Sequence, residues 1–187
     1  MGFLDLFGRD KVVGTKVLVC AVGSDFDELA DCDAAIYKFY YPATTVARFS
    51  GIQELIDSLR QGGYDIVHLF CDVGPAGHLP GSSIQGTDLI ESCCSCNVKL
   101  LWLASSNSGD KYIEGFRARG KQINLVMTID RKDEKFSHLL EKLISKISKG
   151  LTIPVAWNQL CPQIPGTNHP DAPDSIFFAG RGGVRFQ

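Results

Sequence analysis

The 187-residue sequence has almost no net charge: 19 Lys and Arg stand against 21 Asp and Glu, a formal balance of −2. Attraction of the whole molecule to nucleic acid or to an anionic membrane is therefore not expected, and composition points to no polyanion partner. Apolar runs are short, and none approaches the roughly 20 residues of a bilayer-crossing helix. The N-terminus also lacks the basic start, long apolar stretch and cleavage site of a secretory signal, so the expectation is a cytoplasmic protein without a membrane span. Phosphate-binding signatures are missing as well. Gly23-Ser24-Asp25 is not completed to G-x-G-x-x-G, and no G-x-x-x-x-G-K-S/T occurs, so no nucleotide cofactor is expected. Cys93-Cys94-x-Cys96 is rich in thiols, but a structural zinc site needs a second ligand pair, which the sequence does not supply; no metal is expected. The Cys count of seven is odd, and Cys20, Cys71, Cys93 and Cys94 fall in apolar patterns where Cys acts as a small hydrophobe. Reduced thiols follow. The Met1-Gly2 start is not an acylation signal, because Leu6 stands where that motif wants Ser or Thr.

What is present is ordinary for a globular chain, 44% apolar and 21% charged, and long enough for one domain with a sizeable core. Residues 1–15 form an amphipathic opening in which Phe3, Leu4, Leu6 and Phe7 are apolar and Gly8 stops the pattern, and residues 16–187 form a single domain with a Pro-rich C-terminal segment. Lys16–Val22 is a near-continuous β-branched run, the pattern of a strand buried on both faces. Ser24 or Asp25 is placed to cap a helix over Asp27–Tyr37, and Thr44–Phe49 reads as a second strand. Ser50-Gly-Ile-Gln53 has the capping-box pattern, ahead of Ile52, Leu55, Ile56 and Leu59 at helical spacing and Gly62-Gly63 as the stop. Strand three follows at Tyr64, then a Gly-, Pro- and Ser-rich loop over Val73–Gly86, a helix over Thr87–Ser95 and strand four at Val98–Leu103. A helix over Asp110–Arg119, strand five at Ile123–Ile129 and a strongly striped helix from Asp130 to Gly150 complete the alternation. The chain then turns Pro-rich from Pro154 to Pro173 before a last apolar segment, Ser175–Ala179. Such alternation predicts an α/β fold with a mostly parallel, doubly wound sheet and helices on both faces.

Parallel α/β sheets place their sites outside the carboxyl ends of the strands. That rule selects Ser24 and Asp25, then Asp72 and Gly74 with His78 in the loop beyond, then Ser105, Ser106 and Asn107, and finally Asp130. The two most informative segments are Tyr64–Gly74 and Lys99–Gly109, each an apolar run followed by a polar, Gly-bearing turn.

Tyr64-Asp65-Ile66-Val67-His68-Leu69 and Leu103-Ala104-Ser105-Ser106-Asn107-Ser108-Gly109 resemble the two site-bearing strands of the CHAT domain, a branch of the caspase-like cysteine peptidases related to separase. Thr128-Ile129-Asp130, the long helix ending at Lys149-Gly150, and Ile176-Phe177-Phe178-Ala179-Gly180 follow the same layout. The resemblance spans roughly Lys16 to Gly180 and implies a caspase-like fold. In that family the first strand ends in a catalytic His and the second in a catalytic Cys, whereas here Asp72 and Ser106 hold those places and Val73 replaces the Gly after the His.

The substitutions change the chemistry. A thiol with a pKa near about 8.5 is readily ionised by a neighbouring imidazole, but a Ser hydroxyl is far less acidic. An exposed carboxylate with a pKa near about 3.9 is a weak base at neutral pH. Ser106 with Asp72 therefore makes a poor hydrolase. His68 sits inside an apolar alternation and reads as a core residue, and the pairing of Cys71 with His78 competes with the simpler reading that Cys71 points into the core. His138 and His169 read as solvated. Ser105–Gly109, ahead of a helix, reads equally as an anion-holding turn and as a plain capped one.

The expected function is a domain without the peptidase dyad that binds a protein partner or regulates one. The partner would be an active peptidase or sensor subunit, or another copy of the chain, and the resemblance implies a bacterial defence or regulated-proteolysis setting. The competing expectations are an active hydrolase using Ser106 with Asp72 or Cys71 with His78, and a sensor holding a small molecule in the strand-end cleft. RGGVRF at Arg181–Phe186 reads either as an inserting peptide or as a loose end.

Overall fold

The computed structural model describes residues 14–74, 77–105, 123–128, 135–160 and 175–186. Six strands form one sheet: β1 Val17–Val22, β2 Thr44–Phe49, β3 Ile66–Phe70, β4 Leu100–Ala104, β5 Asn124–Thr128 and β6 Ser175–Ala179. Their order is β2-β1-β3-β4-β5-β6, with every neighbouring pair parallel except β5 and β6, which are antiparallel. The expected α/β, doubly wound architecture is therefore the one observed. Among the described residues the helices are α1 Asp27–Tyr40, α2 Ile52–Gly62, α3 Gly86–Ser95, α4 Lys135–Ser148 and α5 Ile153–Leu160. Among the described residues no helix is long and apolar enough to cross a membrane.

Strand alternation sorts the core into two halves. Val17, Val19, Ala21, Ile66, Phe70, Leu100, Trp102 and Val126 face α1, α4 and α5, while Leu18, Cys20, Val67, Leu69, Leu101, Leu103 and Met127 face α2 and α3. All six residues of β1 are buried, as a strand covered by helices on both faces requires. On α2 the buried stripe is Ile52, Leu55, Ile56 and Leu59, and Gly63 ends the helix in the left-handed conformation, at φ 61°. The edge strand β2 carries Arg48, whose guanidinium pairs with Asp27 at 2.6 Å and Asp31 at 2.7 Å on α1. Charge at that edge discourages pairing with another strand.

Local details depart from the sequence pattern at four places. Ser24 and Asp25 do not cap α1: they belong to a 3-10 turn over Ser24–Phe26, the N-cap is Phe26 without a side-chain cap, and α1 runs on to Tyr40. Before α2 the N-cap is Gly51, and the Ser50 amide and hydroxyl both donate to the Glu54 carboxylate, at 2.9 and 2.6 Å. A carboxylate accepts more strongly than the Gln53 amide would, and it draws the cap one residue along. A capping box forms instead at α3, where the Gln85 amide donates to Asp88 Oδ2 at 2.9 Å and the Gln85 side chain accepts from the Asp88 amide. Pro154 opens no irregular tail, because it sits in the first turn of α5, where its missing N–H has no intrahelical partner to lose.

The C-terminal residues are not loose. Arg181 donates to Asn97 Oδ1 at 2.9 Å, its amide and the Gly182 carbonyl pair with the Asn124 side chain, and Phe186 is 1% exposed in the half-core under α4 and α5. The amphipathic opening, the helix expected over Asp110–Arg119, His169 and the Pro162–Pro173 stretch lie outside the described residues.

Candidate functional site

Chain order along the sheet reverses between β1 and β3, and in an open α/β sheet the crevice forms at the carboxyl ends of the two strands flanking such a reversal. Asp25 follows β1 and Asp72 follows β3, so the two carboxylates stand at adjacent strand ends. Asp25 is exposed and Asp72 half-buried. Gly23, at φ 95°, allows the chain to leave β1 sharply.

Hydrogen bonds knit the ends of β3, β4 and β5 past the last residue of each strand. The Cys71 amide donates to the Ala104 carbonyl at 3.0 Å, and the Ser105 amide donates to the Thr128 carbonyl at 3.1 Å. Ser105 is 0% exposed, so it forms part of the floor beneath the strand ends and its hydroxyl is closed to a ligand arriving from solvent. Beyond Asp72, Gly74 donates its amide to the His78 carbonyl at 2.8 Å. His78 and Gln85 form an isolated antiparallel bridge, and Leu79 is buried between them in sequence. The segment 77–85 is thus a folded flap with a buried anchor. Ser24 lies in the turn after β1, while Ser106, Asn107 and Asp130 lie outside the described residues.

Cys71 and His78 are not brought together as an activated pair. Cys71 packs in the half-core with α2 and α3 and is fully buried, while the His78 side chain is exposed. Burial, reinforced by the neighbouring negative charge of Asp72, pushes the Cys71 thiol far above its ordinary value. A nucleophilic cysteine needs the opposite environment, electropositive and partly open.

His68 occupies the core, as its apolar surroundings in the sequence imply, but its partners were not legible there. Its ring stacks between Phe70, with centroids 4.7 Å apart, and Trp102, at 5.2 Å, and Tyr37 meets it edge-on. Nε2 lies 3.7 Å from Asp33 Oδ2, and the other oxygen of that carboxylate accepts a 2.8 Å hydrogen bond from Ser137 Oγ on α4. Cys32 Sγ is 3.6 Å from the same hydroxyl. Burial first, and the Asp33 charge second, hold the Tyr37 phenol well above its usual range. The three residue types match a hydrolytic triad, but the order does not. Here the carboxylate lies between hydroxyl and imidazole, so the imidazole cannot take the serine proton, and the cluster is sealed from substrate. It is an internal tie joining α1, β3 and α4. The available sequence signal was Asp33 itself, since Ala30, Asp33, Ala34 and Tyr37 share the buried stripe of α1.

A concavity of about 570 Å³ opens between α2 and α3 and is lined by Leu59, Arg60, Asp88, Glu91 and Cys96 among others. It lies to the side of the strand ends, and Arg60 there is already paired with Asp57 at 2.9 Å.

The strand order, with helices on both faces and two carboxylates at the switch point, defines an open, doubly wound α/β domain. No protein family matches the sequence, and no curated protein matches it. Among solved structures the chain is similar to the signal receiver domain of the response regulator NarL from Mycobacterium tuberculosis, at 10% identity and a TM-score of 0.48, over 73% of this chain and 98% of that one. It is also similar to the N-terminal domain of a response regulator/sensory box/GGDEF three-domain protein from Carboxydothermus hydrogenoformans, at 12% identity and a TM-score of 0.48, over 72% and 97% of the two chains. With TM-scores below one half, the fold class rests on the strand order itself.

Proposed function

We propose that the chain is a caspase-like domain of the CHAT type that has lost its peptidase dyad and acts as a protein-binding, regulatory module through the carboxyl ends of β1 and β3. The observation that carries this reading is the environment of Cys71. The one cysteine adjoining the dyad-equivalent Asp72 is fully buried, with its thiolate disfavoured by burial and by that carboxylate. Asp25 and Asp72 put two carboxylates at adjacent strand ends, the chemistry that a basic side chain of a partner recognises, and such pairing contributes more to specificity and association rate than to raw affinity. The folded flap over 77–85 supports binding too, because an ordered edge loses little entropy when a partner settles on it. The partner is an active peptidase or sensor subunit, or another copy of the chain, within a bacterial defence or regulated-proteolysis system.

The test is active-site profiling of the native protein. A thiol-directed peptidase probe should leave Cys71 unlabelled until urea is added, and a fluorophosphonate should leave Ser106 unlabelled. Native labelling that disappears in Cys71→Ala or Ser106→Ala would overturn the proposal in favour of a hydrolase.

A further inference from the structure

A surface at the opposite end of the domain has the features of a second docking site. Crossover helices run antiparallel to their strands, so the C-terminal ends of α1 and α4 meet beyond the amino ends of β1 and β3, away from the strand-end cleft. There Tyr40, Glu141, Lys142, Ser145, Lys146 and Lys149 line an open groove of about 420 Å³. Lys142, Lys146 and Lys149 recur at intervals of four and three residues, which places them on one helical stripe. Lys146 Nζ donates to Gln159 Oε1 at 2.9 Å and Lys149 Nζ to Ser145 Oγ at 3.1 Å. Both acceptors are uncharged, and among the described residues neither lysine is in an ion pair.

Lysines in the last turns of a helix favour its negative end from any position around the axis. These three are instead gathered on the side facing Tyr40, against the single carboxylate of Glu141, in a chain whose overall charge is negative. Beside them Phe39 is 80% exposed, its ring edge-on to Tyr40 with centroids 4.9 Å apart. A large aromatic left in water next to a basic groove is a feature of recognition surfaces, where an apolar anchor is bordered by charge.

We propose that this groove docks an acidic segment of a protein partner, its carboxylates meeting Lys146 and Lys149 and an apolar side chain lying on Phe39. The concavity fits a polypeptide better than a flat bilayer. Because the groove and the strand-end cleft lie at opposite ends of the sheet, the inference does not depend on the function proposed for the cleft.

The experiment is fluorescence anisotropy with a fluorescein-labelled peptide of repeating Glu-Glu-Phe. Saturable binding at low salt is expected, lost as ionic strength approaches about 1 M. K146E/K149E should weaken it by about tenfold or more, and K146Q/K149Q should act in the same direction with a smaller effect. F39S should weaken it by about fivefold through the lost apolar contact. R60E, a charge reversal on α2 away from the groove, should leave it unaltered. Absence of saturable binding, equal affinity of K146E/K149E and wild type, or tighter binding to phosphatidylserine vesicles than to the peptide would overturn the proposal.

Discussion

The tie between Asp33, His68 and Ser137 makes a quantitative prediction. In Asp33→Ala the Ser137 hydroxyl loses its acceptor, and the His68 imidazole, held between Phe70 and Trp102, faces the space left by the carboxylate. Removing a buried polar partner destabilises by about 1–3 kcal/mol for each group that relied on it, so about 2–5 kcal/mol for the hydroxyl and the imidazole together. With a urea dependence of about 2–3 kcal/mol per molar for a domain of this size, the unfolding midpoint should fall by roughly 1–2 M while the slope stays the same. The cause is separable from simple loss of packing by a double-mutant cycle with His68→Phe, which keeps an aromatic ring in the stack. If the carboxylate and the imidazole are coupled, the double variant should be less destabilised than the two single variants together, by about 1–3 kcal/mol. An Asp33→Ala loss under about 1 kcal/mol, or single effects that add to within about 0.5 kcal/mol, would refute the reasoning.

Two further outcomes follow from other contacts. Phe186→Ala empties a core position under α4 and α5 and should destabilise by about 3–5 kcal/mol, seen as a fall in melting temperature of about 10 °C; an unchanged melting temperature would mean that the ring does not pack where it is placed. Two hydrogen bonds from Ser50 hold the Glu54 carboxyl below its ordinary value of 4.5, so the group favours folding above that pH, and its contribution fades as pH falls through the depressed folded-state value. Glu54 should accordingly titrate at lower pH in the wild type than in Ser50→Ala when followed by NMR of its side-chain carboxyl carbon, and identical titrations would refute the assignment.

Much of the fold was legible because its signals are local. Val17–Val22 and Ile66–Phe70 read as strands buried on both faces since a parallel sheet leaves no polar alternation, and α2 showed its stripe and its Gly stop. The position of the candidate cleft was legible by topology, for Asp25 and Asp72 follow directly from the alternation of elements. The burial of Ser105 was not, because the hydrogen bond from its amide to the Thr128 carbonyl depends on the pairing of β4 with β5. The partnership of Asp33 with His68 was equally hidden: it joins a helix to a strand distant in sequence and exists only once α1 has docked on β3. Pro154 misled for a different reason, since a proline that breaks a helix in its interior is tolerated in its first turn. Arg181 and Phe186 could not be placed because short Gly-rich segments carry no periodicity from which a docking face can be read.

The antiparallel strand β6 also bears on the order in which the molecule assembles. Four parallel crossovers build the sheet from β1 to β5, but β5, buried on both faces, remains an open edge until residues 175–186 return to cover it. Between the synthesis of β5 and that of β6 a nascent chain therefore presents an unpaired, hydrophobic rim, and the closing strand arrives together with the Arg181 and Phe186 contacts that secure it. Closure of this kind makes the pairing of β6 a late step in assembling the sheet, although the finished domain shows no trace of that exposure at β5.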